Sequence, residues 1–160
     1  MDYYGRNTIW GFRDRVRTNL MYLSAARNQG ADVHVVTELI TSLLGLIVFP
    51  FAEIKRSGSK AFRKYKLDDL SDKGWPDWRF ELGSSPDLDD LILHLRNAIS
   101  HRLLFFSSDS RELEGVEVRF ADRPSKAQPD GWAVTINAAE LQKFVLLFAD
   151  LLKEWEHDYS

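Results

Sequence analysis

The chain has 160 residues, the size of one domain, with 44% hydrophobic and 28% charged residues, a composition that excludes a disordered chain and suffices for one substantial core. It has no cysteine, which excludes disulfides, thiolate metal sites and a cysteine nucleophile and points to a reducing compartment, the cytoplasm. The net charge is −3, so any nucleic-acid contact must rely on local basic patches.

The N-terminal M-D-Y-Y-G-R-N-T lacks the basic start and apolar run of an export signal. From Thr8 to Asn28, Ile9, Phe12, Val16, Leu20 and Leu23 recur at spacings of three and four, which predicts a first helix. Gln29-Gly30-Ala31-Asp32 breaks it, and Asp32 is the expected N-cap of a second helix through Val35, Val36, Leu39, Ile40, Leu43, Leu44 and Ile47. Proline has no N–H to continue the ladder, so Pro50 is expected to end this helix. Gly45 would let a neighbouring backbone come close. The most apolar part, Leu39 to Ala52, is shorter than the ~20 residues that cross a bilayer, and it reads as a buried helix with no membrane partner.

Lys55 to Lys66 carries six basic residues among twelve, with Phe62 and Tyr65 interleaved. Such a stretch is either a solvated connector or a contact for single-stranded RNA, where cations meet phosphates and rings stack on bases. Leu67 to Ser84 shows no period and reads as a long connection. Ser85-Pro86-Asp87 then supplies a capping serine, a proline at the first helical position and an acid at the positive helix end, opening a helix expected to reach Phe106. Val116, Val118 and Phe120 alternate, as do Trp132, Val134 and Ile136, and the two runs predict a hairpin with a long tip. Asn137 and Glu140 form a capping-box pattern before the last helix, whose stripe is Leu141, Phe144, Val145, Phe148, Leu151, Leu152 and Trp155. The expected fold is all-α, an up-and-down four-helix bundle in a single domain over residues 1–160, with a small β-hairpin before the last helix.

The helix from Leu88 carries the chemistry. At ~100° per residue, Leu88, Leu91, Ile92, Leu95, Ile99, Leu103 and Phe106 share a core-facing side. His94, Asn97 and His101 lie roughly opposite, flanked by Leu93, Leu104 and Phe105. A polar cluster in an apolar frame is an interface pattern, and a two-fold homodimer would bring two copies together. Arg96 lies about 140° around a straight helix from His101, so a long side chain or a second protomer must close the gap. Imidazole can accept or donate a proton near neutral pH, guanidinium holds phosphate oxygens and offsets charge on a phosphorane, and Asn97 can orient either group.

The hexapeptide R-N-A-I-S-H, Arg96 to His101, resembles the motif of the HEPN superfamily: an arginine, four to six residues, then a histidine, with a polar residue after the arginine. T-E-L-I-T-S-L-L-G-L-I-V-F-P, Thr37 to Pro50, is similar to the second helix of one HEPN branch. The resemblance implies a metal-independent endoribonuclease whose two motifs form one cleft across a homodimer, with Arg96 and His101 as catalytic residues and Asn97 beside them. The ribose 2′-hydroxyl would attack the adjacent phosphate, leaving a cyclic phosphate and a free 5′-hydroxyl, and DNA would not be cut. Arg102, Lys55, Arg56 and Lys64 are the cations assigned to the RNA substrate. Many relatives act as toxins or in antiviral defence, some with an antitoxin that modifies a tyrosine two residues after the motif histidine. Leu103 occupies that position here, which sets the chain apart from that partnership.

Other classes remain open. A HEPN-like domain that binds RNA, nucleotide or a protein without cutting would have the same sequence, and so would a purely structural dimer module. His94 and His101 share a face, but only His34 and His157 remain as further histidines, so no metal is assigned and no cofactor is implied. Trp10, Trp75, Trp78, Trp132 and Trp155 are scattered and read as packing residues. Ser107 to Ser110 reads as a loop, with no acid–base spacing for a nucleophile.

Overall fold

The computed structural model describes residues 6–56 and 60–159; the first five residues of the N-terminal segment and Ser57, Gly58 and Ser59 of the basic stretch lie outside them. The chain is mainly helical with one small antiparallel sheet, and it divides into two compact units, residues 1–59 with 144–160 and residues 60–143.

The first unit holds α1 (Arg6–Asn28), α2 (Val35–Leu46), α3 (Ala52–Arg56) and the later turns of α6 (Ala138–Tyr159). The expected stripes are buried at Val16, Leu20, Leu39 and Leu43, and along α6 at Phe144, Val145, Phe148, Leu151 and Leu152. Arg13, also buried, reaches Glu156 at 2.8 Å, which compensates the charge that burial would otherwise leave exposed to a low dielectric. Gly45 permits the close approach expected of it, and the neighbour is a side chain: a methyl group there would overlap the Phe12 ring.

Two expectations fail in this unit. Asp32 does not cap α2; the N-cap position is His34, and no side chain closes it. Nor does Pro50 end the helix. Ile47–Phe51 form a π-turn in which the Ala52 N–H bonds back to the Ile47 carbonyl five residues earlier, and α3 continues the path. The wider turn accommodates the missing proline N–H and the ring that would clash in α geometry. The continuous stretch Val35–Arg56 therefore has 22 residues, long and apolar enough by length and composition to cross a bilayer, with 50% of its most apolar window buried. The expectation of an apolar helix too short for that is corrected.

The second unit is a four-stranded antiparallel sheet, ordered β1-β4-β3-β2, with a helix on it. Its elements are α4 (Leu67–Asp72), β1 (Arg79–Leu82), α5 (Leu88–Ser100), β2 (Leu104–Phe106), β3 (Glu117–Asp122), β4 (Trp132–Asn137) and the first turn of α6. The expected hairpin is β3–β4, and Asn137 caps α6 by accepting the Ala139 N–H at 2.9 Å. What looked like a structureless connection contains α4 and β1, and β1 joins the hairpin as an edge strand. The other edge, β2, comes from residues expected to be helical.

Register decides what faces what. Val118 pairs with Ile136, Phe120 with Val134 and Asp122 with Trp132. Since side chains alternate across a strand, these six share one face, and Val118, Phe120, Val134, Ile136 and Trp132 are buried there. The opposite face is polar: Glu81 accepts from Arg119 Nε at 2.7 Å and from Thr135 Oγ1, and Arg79 pairs with Glu117. Asp122 is thus a carboxylate placed by register on the apolar side.

Candidate functional site

α5 starts two residues later than the sequence suggested. Asp87, not Ser85, is the N-cap and accepts the Asp90 N–H at 3.1 Å. Ser85 Oγ instead accepts from the buried Trp132 Nε1 at 3.1 Å. The helix buries Leu88, Leu91, Ile92, Leu95 and Ala98.

It also stops at Ser100, well before Phe106. His101 occupies the C-cap, Arg102 takes φ +60°, the Leu103 N–H bonds to the Ala98 carbonyl at 2.8 Å and the Arg102 N–H to the Ile99 carbonyl at 3.2 Å. This pair of bonds closes a helix end that normally uses glycine at the left-handed position. An arginine there carries the Cβ penalty that glycine avoids, roughly 1–2 kcal/mol. Leu103 and Phe106 therefore leave the expected helix face. Phe106 is exposed, and Phe105 lies on the opposite sheet face beneath the Arg119 guanidinium at 5.8 Å.

The expected polar cluster of His94, Asn97 and His101 does not form one exposed face. His94 is only 8% exposed and stacks on Trp132, with ring centroids 4.8 Å apart and planes at 13°. Its Nδ1 is 2.8 Å from Asp122 Oδ2. Asn97 Nδ2 donates to the same oxygen at 2.8 Å, and the Arg123 N–H donates to Oδ1 at 2.8 Å. Burial would raise the Asp122 carboxyl, but the hydrogen bonds from Asn97, His94 and Arg123 and the charge of a protonated His94 hold it below the ordinary aspartate value. An ionised carboxylate only accepts, so His94 presents Nδ1–H to it. His94 Nε2 points to Asp90 Oδ2 at 3.6 Å, a buried oxygen with no hydrogen-bond partner among the described residues. With Nδ1 bonded to Asp122, Nε2 facing the Asp90 carboxylate and the ring stacked on Trp132, His94 is a structural anchor.

Arg96 is exposed, and its Nη2 donates to Asn97 Oδ1 at 3.1 Å. That acceptor is a neutral amide, which leaves the guanidinium charge available to an anion. His101 is exposed at the helix end, and its ring makes no hydrogen bond or ion pair among the described residues. Of the cations assigned to RNA, Arg102 is exposed beside it. Lys55 and Arg56 belong to the first unit and Lys64 to the second. Arg56 pairs with Glu53 at 2.6 Å, and Lys64 lies 5.1 Å from the Tyr65 ring. Phe62 is fully buried, so it is a packing residue and does not stack on a base, which removes half of the aromatic pattern read in that stretch.

A family model described as HEPN pEK499 p136 matches residues 1–159, spanning both units. The chain belongs to the HEPN family. No curated protein and no solved structure matches it. Within this HEPN chain the R-N-A-I-S-H stretch runs from Arg96 in the last two turns of α5 to His101 at its C-cap, so Arg96 and His101 stand on either side of a helix terminus. Asp122 was missed by sequence reasoning, whereas Trp132, read as a packing residue, is buried as one. The available signal was the alternation itself: Val118 and Phe120 point inward, so Asp122 must too, and an inward carboxylate requires donors. Only the fold brings His94 and Asn97 to it.

Proposed function

We propose that this HEPN domain is a metal-independent endoribonuclease that works as a homodimer. The observation that carries the reading is that Arg96, in the stretch that resembles the HEPN motif, is exposed and among the described residues bonds only to a neutral amide, with an exposed His101 that has no partner among those residues little more than one helix turn further on. A cation kept clear of carboxylates suits a phosphate, which it holds bidentately.

In the proposed reaction a neutral His101 takes the proton of the ribose 2′-hydroxyl. The oxygen attacks the adjacent phosphorus, and the bond to the 5′-oxygen breaks. An imidazolium donates the proton that the leaving oxygen needs, and a second copy of His101 from the partner protomer fits that role. The products are a 2′,3′-cyclic phosphate and a 5′-hydroxyl. Arg96 offsets the charge that builds on the phosphorane, and Arg102 adds charge for the RNA backbone. The exposed Leu93, on the same helix as Arg96, suits a protomer interface that brings two motifs into one cleft. A toxin or antiviral role, with or without an antitoxin protein, is the setting such an activity fits.

The test is RNA cleavage in EDTA by wild type, Arg96→Ala and His101→Ala, each first shown to be folded and in the same oligomeric state. The expected result is cleavage by wild type and a loss of about 100-fold or more in each variant. A folded wild type that binds RNA and leaves it intact would replace this reading with that of a non-cutting RNA-binding module.

A further inference from the structure

The Arg96 guanidinium is tied to the sheet by a directed chain of donors and acceptors. Arg96 Nη2 donates to Asn97 Oδ1 at 3.1 Å, and Asn97 Nδ2 donates to Asp122 Oδ2 at 2.8 Å. An amide has one accepting end and one donating end, so whichever end faces residue 122 fixes what is offered to Arg96. Asp122, as a carboxylate, can only accept. It thereby forces the NH2 of Asn97 inward and leaves the carbonyl oxygen for the guanidinium.

Asp122 is itself held from three directions. The Arg123 N–H occupies its Oδ1, His94 Nδ1 and Asn97 Nδ2 share Oδ2, and His94 in turn stacks on Trp132, the cross-strand partner of Asp122. A group fixed this firmly, 25 residues from Asn97 in sequence, does more than satisfy a surface amide. We infer that Asp122 is the positioning residue of Arg96, acting through Asn97 and anchored by His94. Its effect on cleavage rests on the nuclease reading; its effect on the order of the guanidinium does not.

Asp122→Asn is nearly isosteric and reverses the polarity. Arg123 N–H still demands an acceptor, so the new amide turns its oxygen there and its NH2 toward Asn97. Asn97 must then flip and offer its own NH2 to a guanidinium that cannot accept. Arg96 is released. Exchanging the two groups, Asp122→Asn with Asn97→Asp, restores a continuous chain, because a carboxylate at 97 accepts from both neighbours.

The experiment is side-chain nitrogen NMR relaxation at Arg96 Nε, with exposed Arg123 as the internal reference. In wild type Arg96 is expected to be more ordered than Arg123. In Asp122→Asn it should fall to the Arg123 level, and in the exchanged double variant it should recover. Should Asp122→Asn fail to fold, Asn97→Ala cuts the same link at its middle and leaves the His94–Asp122 pair in place; Arg96 must again lose order while the His94 ring signals stay as in wild type. Arg96 order unchanged in whichever of these folds overturns the inference. In parallel, kcat of RNA cleavage should drop about 10- to 100-fold in Asp122→Asn with a smaller change in KM, since the cation remains and only its aim is lost. A wild type that cuts no RNA yet shows the relaxation pattern defeats the nuclease reading and leaves this one standing. Cleavage with unchanged Arg96 order in Asp122→Asn does the reverse.

Discussion

Arg96 and His101 are little more than one helix turn apart, yet one is tied through Asn97 to a carboxylate in the sheet and the other stands at a helix end closed by a left-handed arginine. The arginine side is long-range structure: its order depends on β3 pairing with β4 and on α5 lying over them. On the histidine side the Ala98–Leu103 closure ends the helix and the Ala121 N–H holds the Leu103 carbonyl at 2.9 Å, while the His101 ring itself has no partner among the described residues. For the proposed chemistry the difference is apt, because a charge that stabilises a transition state gains from being fixed, whereas a proton carrier needs an unengaged ring nitrogen.

The comparison breaks first at the two histidines of α5. His94→Ala removes a ring about 90% buried against Trp132 and leaves Asp122 short of a donor, and should cost about 2–4 kcal/mol of folding stability. His101→Ala should stay within about 0.5 kcal/mol of wild type. Chemical denaturation of the two variants side by side checks this, and equal losses would mean that the two ends are not built differently after all. A smaller effect sharpens the histidine side. Arg102→Gly relieves the left-handed Cβ and should stabilise the fold by about 0.5–1 kcal/mol, while weakening RNA binding and flattening its salt dependence by the loss of one cation. Stability that falls on this substitution would contradict the helix-end account.

What the sequence disclosed follows the same divide. The α6 stripe and the β3–β4 alternation were legible because each element writes its own period over several residues. The end of α5 was not, because the residue that adopts the glycine conformation is Arg102 and carries no glycine signal. Pro50 misled for the converse reason: proline signals a stop, and the chain spends one π-turn to pass it. β1 and β2 have four and three residues, too few to display alternation, and they are strands because a hairpin lies beside them. Within the site, Arg96, Asn97 and His101 stood in one contiguous motif. Asp122 belongs to it only through β-register and helix packing, which no local pattern encodes, and His94, legible as a polar residue on the same face, proved to be buried support.

The most direct test of the proposed chemistry is a single substitution in the substrate. Once the cleaved bond in an RNA oligonucleotide is mapped, the same strand is made with one 2′-deoxynucleotide on the 5′ side of that bond and offered to the wild-type protein in EDTA. The account predicts that this bond stays intact, that the all-RNA strand is cut to a cyclic phosphate and a 5′-hydroxyl, and that both strands bind alike. Cleavage of the deoxy-substituted bond would contradict attack by the 2′-hydroxyl, and with it the roles given to Arg96 and His101.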